Sequence, residues 1–191
     1  MARPRTFDPD EVLNTALDIF WRKGFHGTSL DDITAATGLA KPSLYAAFGD
    51  KNALFLKIID RYHDTVLRRS ERLITNGPSA REAIQTWMES FLPYCSGAKG
   101  NRGCLSINTA MDGALEQAEL RKSVKRFNTG LEKLIHARLE ADRAQFSKDF
   151  NPSAASRAIM AIYNGVMVLS RQTQSPDQVK SVIAQAMKLL A

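Results

Sequence analysis

Cysteine is almost missing from this chain: Cys95 and Cys104 are the only two in 191 residues. Two are too few for a disulfide framework, and a reducing, intracellular setting fits that usage. Long apolar runs are missing too. No stretch of 18 or more apolar residues occurs, so there is no candidate membrane span, and the opening MARPRTFDPDEV lacks the apolar segment of a secretory signal. The expected location is cytoplasmic, with no membrane partner. Histidine is scarce. His26, His63 and His136 are scattered without metal-ligand spacing, the first in a loop and the others on helices, where a solvated or locally bonded ring is the plain reading. There is no Gly-x-Ser-x-Gly, no phosphate loop and no dinucleotide glycine fingerprint. An enzyme is therefore not expected, nor a metal or other cofactor. Repeats, low-complexity tracts and useful strand alternation are absent as well.

What remains is an ordinary globular composition, 44% apolar and 24% charged, with a net charge of +6. The charge invites a nucleic-acid reading, but its distribution weakens it. Residues 1–72 hold eleven Lys and Arg against ten Asp and Glu, whereas residues 121–148 hold eight against three. Net charge licenses only weak non-specific attraction, so a DNA-binding reading needs a local motif.

Helical signals run through the whole sequence. In DPDEVLNTALDIFWRKG, Asp8 is a candidate N-cap, Pro9 opens the helix and Gly24 ends it. Ser29 caps a second helix, with Asp32 completing an acidic capping box and Gly38 closing it. A third helix runs from about Lys41 to Phe48 and a fourth to about Thr75. Asn-Gly-Pro at 76–78 is a break. Helices follow near 79–93, 103–113, 116–146, 152–172 and from Ser175 to about 190. The predicted fold is all-α, about nine helices, with a three-helix helix-turn-helix unit followed by a larger helical unit.

LDDITAATGLAKPSLYAAF, residues 30–48, is the informative stretch. Ile33, Ala36, Leu39, Leu44 and Phe48 form one apolar face across two short helices, and Gly38 allows a tight turn between them. Leu17 and Phe20 of the first helix close a core beneath. The other side of the third helix carries Lys41, Ser43, Tyr45 and Ala46, which offer a charge, hydroxyls and a methyl to phosphates and base edges. Two-helix patterns are common in helical proteins, so spacing alone leaves DNA binding and a plain polar face about equally supported.

The block ALDIFWRKGFHGTSLDDITAATGLAKPSLYAAFGDKNALF resembles the DNA-binding region of the TetR family of bacterial transcription regulators. The likeness runs over residues 9–60 in the family's order. It implies a homodimeric regulator that reads palindromic double-stranded operator DNA, most simply a repressor released by a small-molecule effector. By the same resemblance Thr28 and Ser29 would offer hydroxyl and backbone N–H groups to a phosphate. Lys41, Pro42 and Ser43 would open the recognition helix, with Tyr45 and Ala46 on its outward face, and Lys51 would meet the DNA backbone. Two departures stand out: Ala40 replaces a capping Ser or Thr, at a cost of ~1 kcal/mol, and Ala46 and Ala47 replace larger polar groups. Arg3 and Arg5 either reach a minor groove or belong to a solvated tail.

The division this implies is residues 1–49 for DNA and residues 50–191 for effector binding and dimerisation. Candidate pocket residues are Trp87, Met88, Phe91, Tyr94, Met111 and Phe127, then Leu131, Ile135, Tyr163 and Met167, with Cys104 and Asn108 as polar members. Such a set suits an apolar or aromatic effector; it equally suits a plain helical core. Candidate dimer residues are Ile159, Ile162 and Val166 on one helix and Val179, Val182, Ile183 and Met187 on the last, unless those stripes cover the chain's own core. RGCLSIN resembles an element of one TetR subgroup and places Cys104 at a helix start, where a thiol's reactivity rises. Cys104 is thus either a redox sensor or a small buried residue. An activator, and a binding module without specific DNA contacts, remain as alternatives.

Overall fold

The computed structural model describes residues 7–94, 101–172 and 175–190. Arg3, Arg5 and Cys95 lie outside the described residues. Nine α-helices and no strand occur among those described: α1 (Pro9–Lys23), α2 (Leu30–Thr37), α3 (Lys41–Phe48), α4 (Lys51–Thr75), α5 (Ala80–Glu89), α6 (Leu105–Met111), α7 (Ala118–Ala141), α8 (Pro152–Gln172) and α9 (Pro176–Ala186). The all-α expectation holds. The helix expected over 79–93 stops early at Glu89 and continues as a 3-10 turn at Leu92–Tyr94, because Pro93 has no N–H to donate.

Local sequence explains the helix ends. Asp8 accepts a hydrogen bond from the backbone N–H of Asp10 at 2.8 Å, with Pro9 at the first helical position. Ser29 and Asp32 form the full capping box: Asp32 N–H donates to Ser29 Oγ at 3.0 Å and Ser29 N–H to Asp32 Oδ2 at 2.8 Å. The hydrogen bond from Lys23 to Asp32, followed by those from Ser29, holds this carboxyl well below the usual range. Gly38 adopts φ +70 and ψ +6, the left-handed conformation that the tight α2–α3 turn needs. Ala40 gives α3 no side-chain cap, as its side chain requires.

Two cores form. In one, Val12, Ala16, Phe20, Ile33, Leu44 and Phe48 of α1–α3 meet Leu54, Phe55, Ile58 and Ile59 of α4 and Leu120 and Val124 of α7. In the other, Ile74, Ile84 and Trp87 meet Leu131, Ile135 and Leu139 of α7, Ile159 and Val166 of α8 and Ile183 of α9. Helices α4 and α7 therefore belong to both.

This second core takes most of the residues expected at a dimer interface. Ile159, Val166, Val179, Ile183 and Met187 are each at most 3% exposed within the single chain. The broad apolar stripes of α8 and α9 turn inward because α8 packs between α7 and α9. Ile162 is half-buried against the same core, and only Val182, 39% exposed, faces outward. The outward side of α8 carries Ala158, Ala161 and Gly165 instead. Ala36, expected in the helix-turn-helix core, is also exposed.

A polar zipper joins α4 to α7. Arg126 donates to Asp60 Oδ1 at 2.7 Å, and the Ser123 hydroxyl donates to the same oxygen. Since that proton is committed, the contact between His63 Nδ1 and Ser123 Oγ at 3.0 Å makes His63 the donor, with its proton on Nδ1. The ring is buried and stacks on Phe127 at 4.3 Å. Burial, and secondly the Arg126 charge, lowers the His63 pKa to about 3. The unfolded chain takes up a proton here near pH 6.5 and the folded chain only near pH 3, so stability is full above pH 6.5 and falls as pH drops through that window. His63→Gln should flatten this slope by about one proton, or ~1.4 kcal/mol per pH unit. Urea unfolding at pH 6 and pH 4.5 measures it; an unchanged slope would place the acid sensitivity elsewhere.

Candidate nucleic-acid interface and effector cleft

Helix α3 lies on the surface of the first core with Leu44 and Phe48 pointing down. Lys41, Pro42, Ser43, Tyr45 and Ala46 are all exposed, Tyr45 at 49%. The five sequence-predicted residues of α3 are thus brought together on one face. Lys41 Nζ pairs with Asp31 Oδ1 of α2 at 2.6 Å, and this carboxylate raises the lysine pKa. The residues before α3 behave differently. Thr28 is buried and its hydroxyl donates to Gly24 O at 2.7 Å, so the side chain expected to meet a phosphate is committed to the turn. Ser29 is exposed, but its hydroxyl is spent on Asp32. Lys51 at the start of α4 rests its ammonium over the Phe25 ring, 4.5 Å from the centroid, and partial burial lowers its pKa.

The joint between the two halves centres on Trp21 and Asp112, which the sequence did not single out. Trp21, near the end of α1, donates its indole N–H to Arg102 O at 3.0 Å. It meets Tyr62 edge-on at 5.1 Å and stacks on Tyr94 at 6.3 Å. Arg102 returns to α1 through Asp18 at 2.8 Å. Asp112, just after α6, accepts from the backbone N–H of His26 at 3.0 Å. Gly24 is needed there twice over: its φ is +75, and a Cβ would lie 2.9 Å from the Asp112 carboxylate.

Beside Trp21 a cleft of about 360 Å³ opens between α1 and α4, walled by Leu13, Leu17, Ile58, Tyr62, Val66 and Tyr94, with Arg61 and Arg69. It narrows inward to a small space reaching Phe91, Gly103 and Met167. Of the expected pocket residues, then, Phe91, Tyr94 and Met167 line the cleft's inner end. Trp87, Met88, Phe127, Leu131, Ile135 and Tyr163 do not; they are packed in the second core, at most 1% exposed. Met111 is 64% exposed and lies with Asn108 on a separate, polar hollow beside Arg171 and Asp112. Asn108 has a structural task there, donating to Arg102 O at 2.8 Å and accepting from Arg171 at 3.1 Å. Cys104 is buried and accepts a hydrogen bond from the Tyr62 hydroxyl at 3.3 Å. Burial, then the neighbouring Cys104, holds the Tyr62 phenol well above its ordinary value. No group of three His, Cys, Asp or Glu that could hold a metal occurs among the described residues. Nor is any helix among them long and apolar enough to cross a membrane.

A surface helix standing on a three-helix core, fused to a larger helical body, defines a helix-turn-helix regulator. Two family profiles match: bacterial regulatory proteins of the tetR family over residues 12–58, and the tetracyclin repressor-like C-terminal domain over residues 80–186. The chain belongs to the TetR family of bacterial transcriptional regulators, proteins that are not enzymes. The transcriptional repressor ComR of Escherichia coli K12 is 24% identical over 190 residues, covering 98% of this chain and 90% of the relative. The repressor BdcR of the same strain is 26% identical over 188 residues, covering 96% and 89%. Among solved structures, a cysteine-substituted CifR, a TetR family regulator complexed with 26 bp double-strand operator DNA, superposes with a TM-score of 0.90 at 26% identity over 100% of both chains. The reduced form of E. coli NemR shares the fold, with a TM-score of 0.83 at 20% identity over 95% and 96%.

Proposed function

We propose that this regulator is a homodimeric repressor that binds palindromic operator DNA through α3 and is released by a small-molecule effector. Residues 1–49 read DNA; residues 50–191 bind effector and dimerise. One observation carries the reading. The outward face of α3 is exposed and continuous, on a fold that superposes along its whole length on a regulator complexed with operator DNA. A helix of this size fits the major groove, with Lys41 and Tyr45 facing it and Lys51 at the flank.

Dimerisation follows from what a lone reading head lacks. Two recognition helices about one helical turn apart, ~34–36 Å or more, double the contacts and demand a two-fold site. The outward faces of α8 and α9 supply a surface for it: Ala158, Ala161, Gly165 and Val182, with half-buried Ile162 at its edge. Among the described residues, nothing beyond the local backbone of α8 lies within 4 Å of where a Gly165 Cβ would be, which leaves room for a partner helix to come close.

Release works through the joint. Trp21, Arg102 and Asp112 tie α1 to the larger body, and the cleft lies against that tie. A ligand there favours a conformer with α1 tilted and the two α3 helices wrongly spaced. It must bind that conformer more tightly than the DNA-competent one. A second trigger is supported by the Tyr62–Cys104 hydrogen bond at the cleft's inner end: modifying the thiol would break it. Cys104→Ser, which keeps a hydrogen-bond acceptor, should abolish thiol-dependent release and leave effector release intact.

Selecting binding sites from random duplex DNA at physiological salt tests the reading. A palindrome is expected. Recovery of non-specific DNA alone, with a steep salt slope, would overturn it in favour of a ligand-binding module.

A further inference from the structure

We infer that the cleft between α1 and α4 takes an organic anion: a carboxylate on an apolar, aromatic body, held by Arg69. The inference rests on the effector reading above and adds the ligand's chemistry. Its volume, about 360 Å³, falls in the range of small-molecule sites. The walls divide into two kinds. Leu17, Ile58 and Val66 are aliphatic, and Trp21, Tyr62 and Tyr94 present rings already set around a common space. Such walls suit a planar apolar body.

The charged groups fix the sign. Arg61 and Arg69 line the cleft and no Asp or Glu does among the described residues. Arg61 is already neutralised by Asp10 at 2.6 Å. Arg69 differs: it forms no ion pair with any described carboxylate, and among the described residues its one hydrogen bond is from Nη2 to the backbone oxygen of Ser90 at 2.9 Å. That bond steers a half-buried guanidinium while leaving donors for a second acceptor. Arg69 also lines both the outer cleft and its inner extension, so it stands where the two meet. A planar fork in a part-desolvated, ring-lined cleft binds a carboxylate by two parallel hydrogen bonds. A neutral body of the same shape would leave that charge without a partner.

The test is calorimetric titration of the full chain with 2-naphthoate and with its neutral counterpart 2-naphthalenemethanol. The wild type should bind the carboxylate about tenfold more tightly or better. Arg69→Gln should bring the two affinities together, while Arg61→Gln should leave the preference in place. Arg69→Gln also gives up the bond to Ser90, so Arg69→Lys is run beside it; that variant keeps the charge and should retain part of the preference. Equal affinities in the wild type, or a preference that survives in Arg69→Gln, would overturn the inference. If Arg69→Gln does not fold, a reduced preference in a folded Arg69→Lys counts for it and full retention counts against it. Operator binding is measured separately on ligand-free protein. Its absence would sink the repressor reading and leave a carboxylate preference standing, so the two failures are distinct.

Discussion

Trp87→Ala should cost about 3–5 kcal/mol of stability, the range for emptying a large aromatic site in a core. Trp87 is fully buried, stacks on Tyr163 at 5.0 Å and meets Phe91 edge-on at 5.7 Å. Its indole N–H donates to Ser70 Oγ at 2.8 Å. Alanine removes the rings' shared partner, leaves a cavity that five helices would have to collapse to fill, and strands a buried hydroxyl. Domains of this kind have only about 5–15 kcal/mol to lose, so the variant should sit near the edge of folding. Trp87→Phe keeps most of the volume and loses the hydrogen bond, and should cost roughly a third as much. Urea unfolding of the two variants separates the terms. A loss below about 1 kcal/mol for Trp87→Ala would mean that the core repacks.

The second large effect concerns α3. Lys41→Ala and Tyr45→Ala should each lower operator affinity by at least tenfold, since a dimer loses the contact twice and each is worth about 1–3 kcal/mol. Their signatures should differ. Removing the charge of Lys41 should weaken binding across sequences and reduce the salt slope by about two per dimer. Tyr45→Ala should change base preference more than the salt slope. The pairing of Lys41 with Asp31 adds a check in the opposite direction. Asp31→Asn frees the ammonium and removes an acid beside the phosphates, so affinity should rise. Filter binding over a range of salt concentrations reads all three. Unchanged affinity in both alanine variants would remove α3 from the interface.

What the sequence could disclose was local. Helix starts and stops follow from residues three or four positions apart, and Ser29, Asp32, Gly38 and Ala40 behave as their side chains dictate. The outward face of α3 was legible because Leu44 and Phe48 fix the inward one. What was missed is long-range or depends on which side of an apolar helix meets a neighbour. Trp21 and Arg102 are joined across 81 residues by a bond between an indole and a backbone carbonyl, and no spacing rule encodes that. A Trp at the end of an amphipathic helix, half outside its stripe, was the available hint. Thr28 resembled a phosphate ligand from its position, yet a hydroxyl beside a free carbonyl closes the turn first. The stripes of α8 and α9 show the same limit. Apolar periodicity says that a face is buried without saying whether the chain's own core or a second chain buries it. His63 was read as solvated or locally bonded; its partner Ser123 lies on another helix.

The sharing of α4 and α7 between the two cores has a consequence for grafting. A reading head cut at residue 49 would leave behind Leu54, Phe55, Ile58 and Ile59, the residues that floor Phe20 and Leu44. Such a fragment would expose its underside to water. Chimaeras that exchange DNA specificity between relatives should therefore carry the first turns of α4 with the head and match the opening of α7 beneath it, with the crossover placed beyond Ile59.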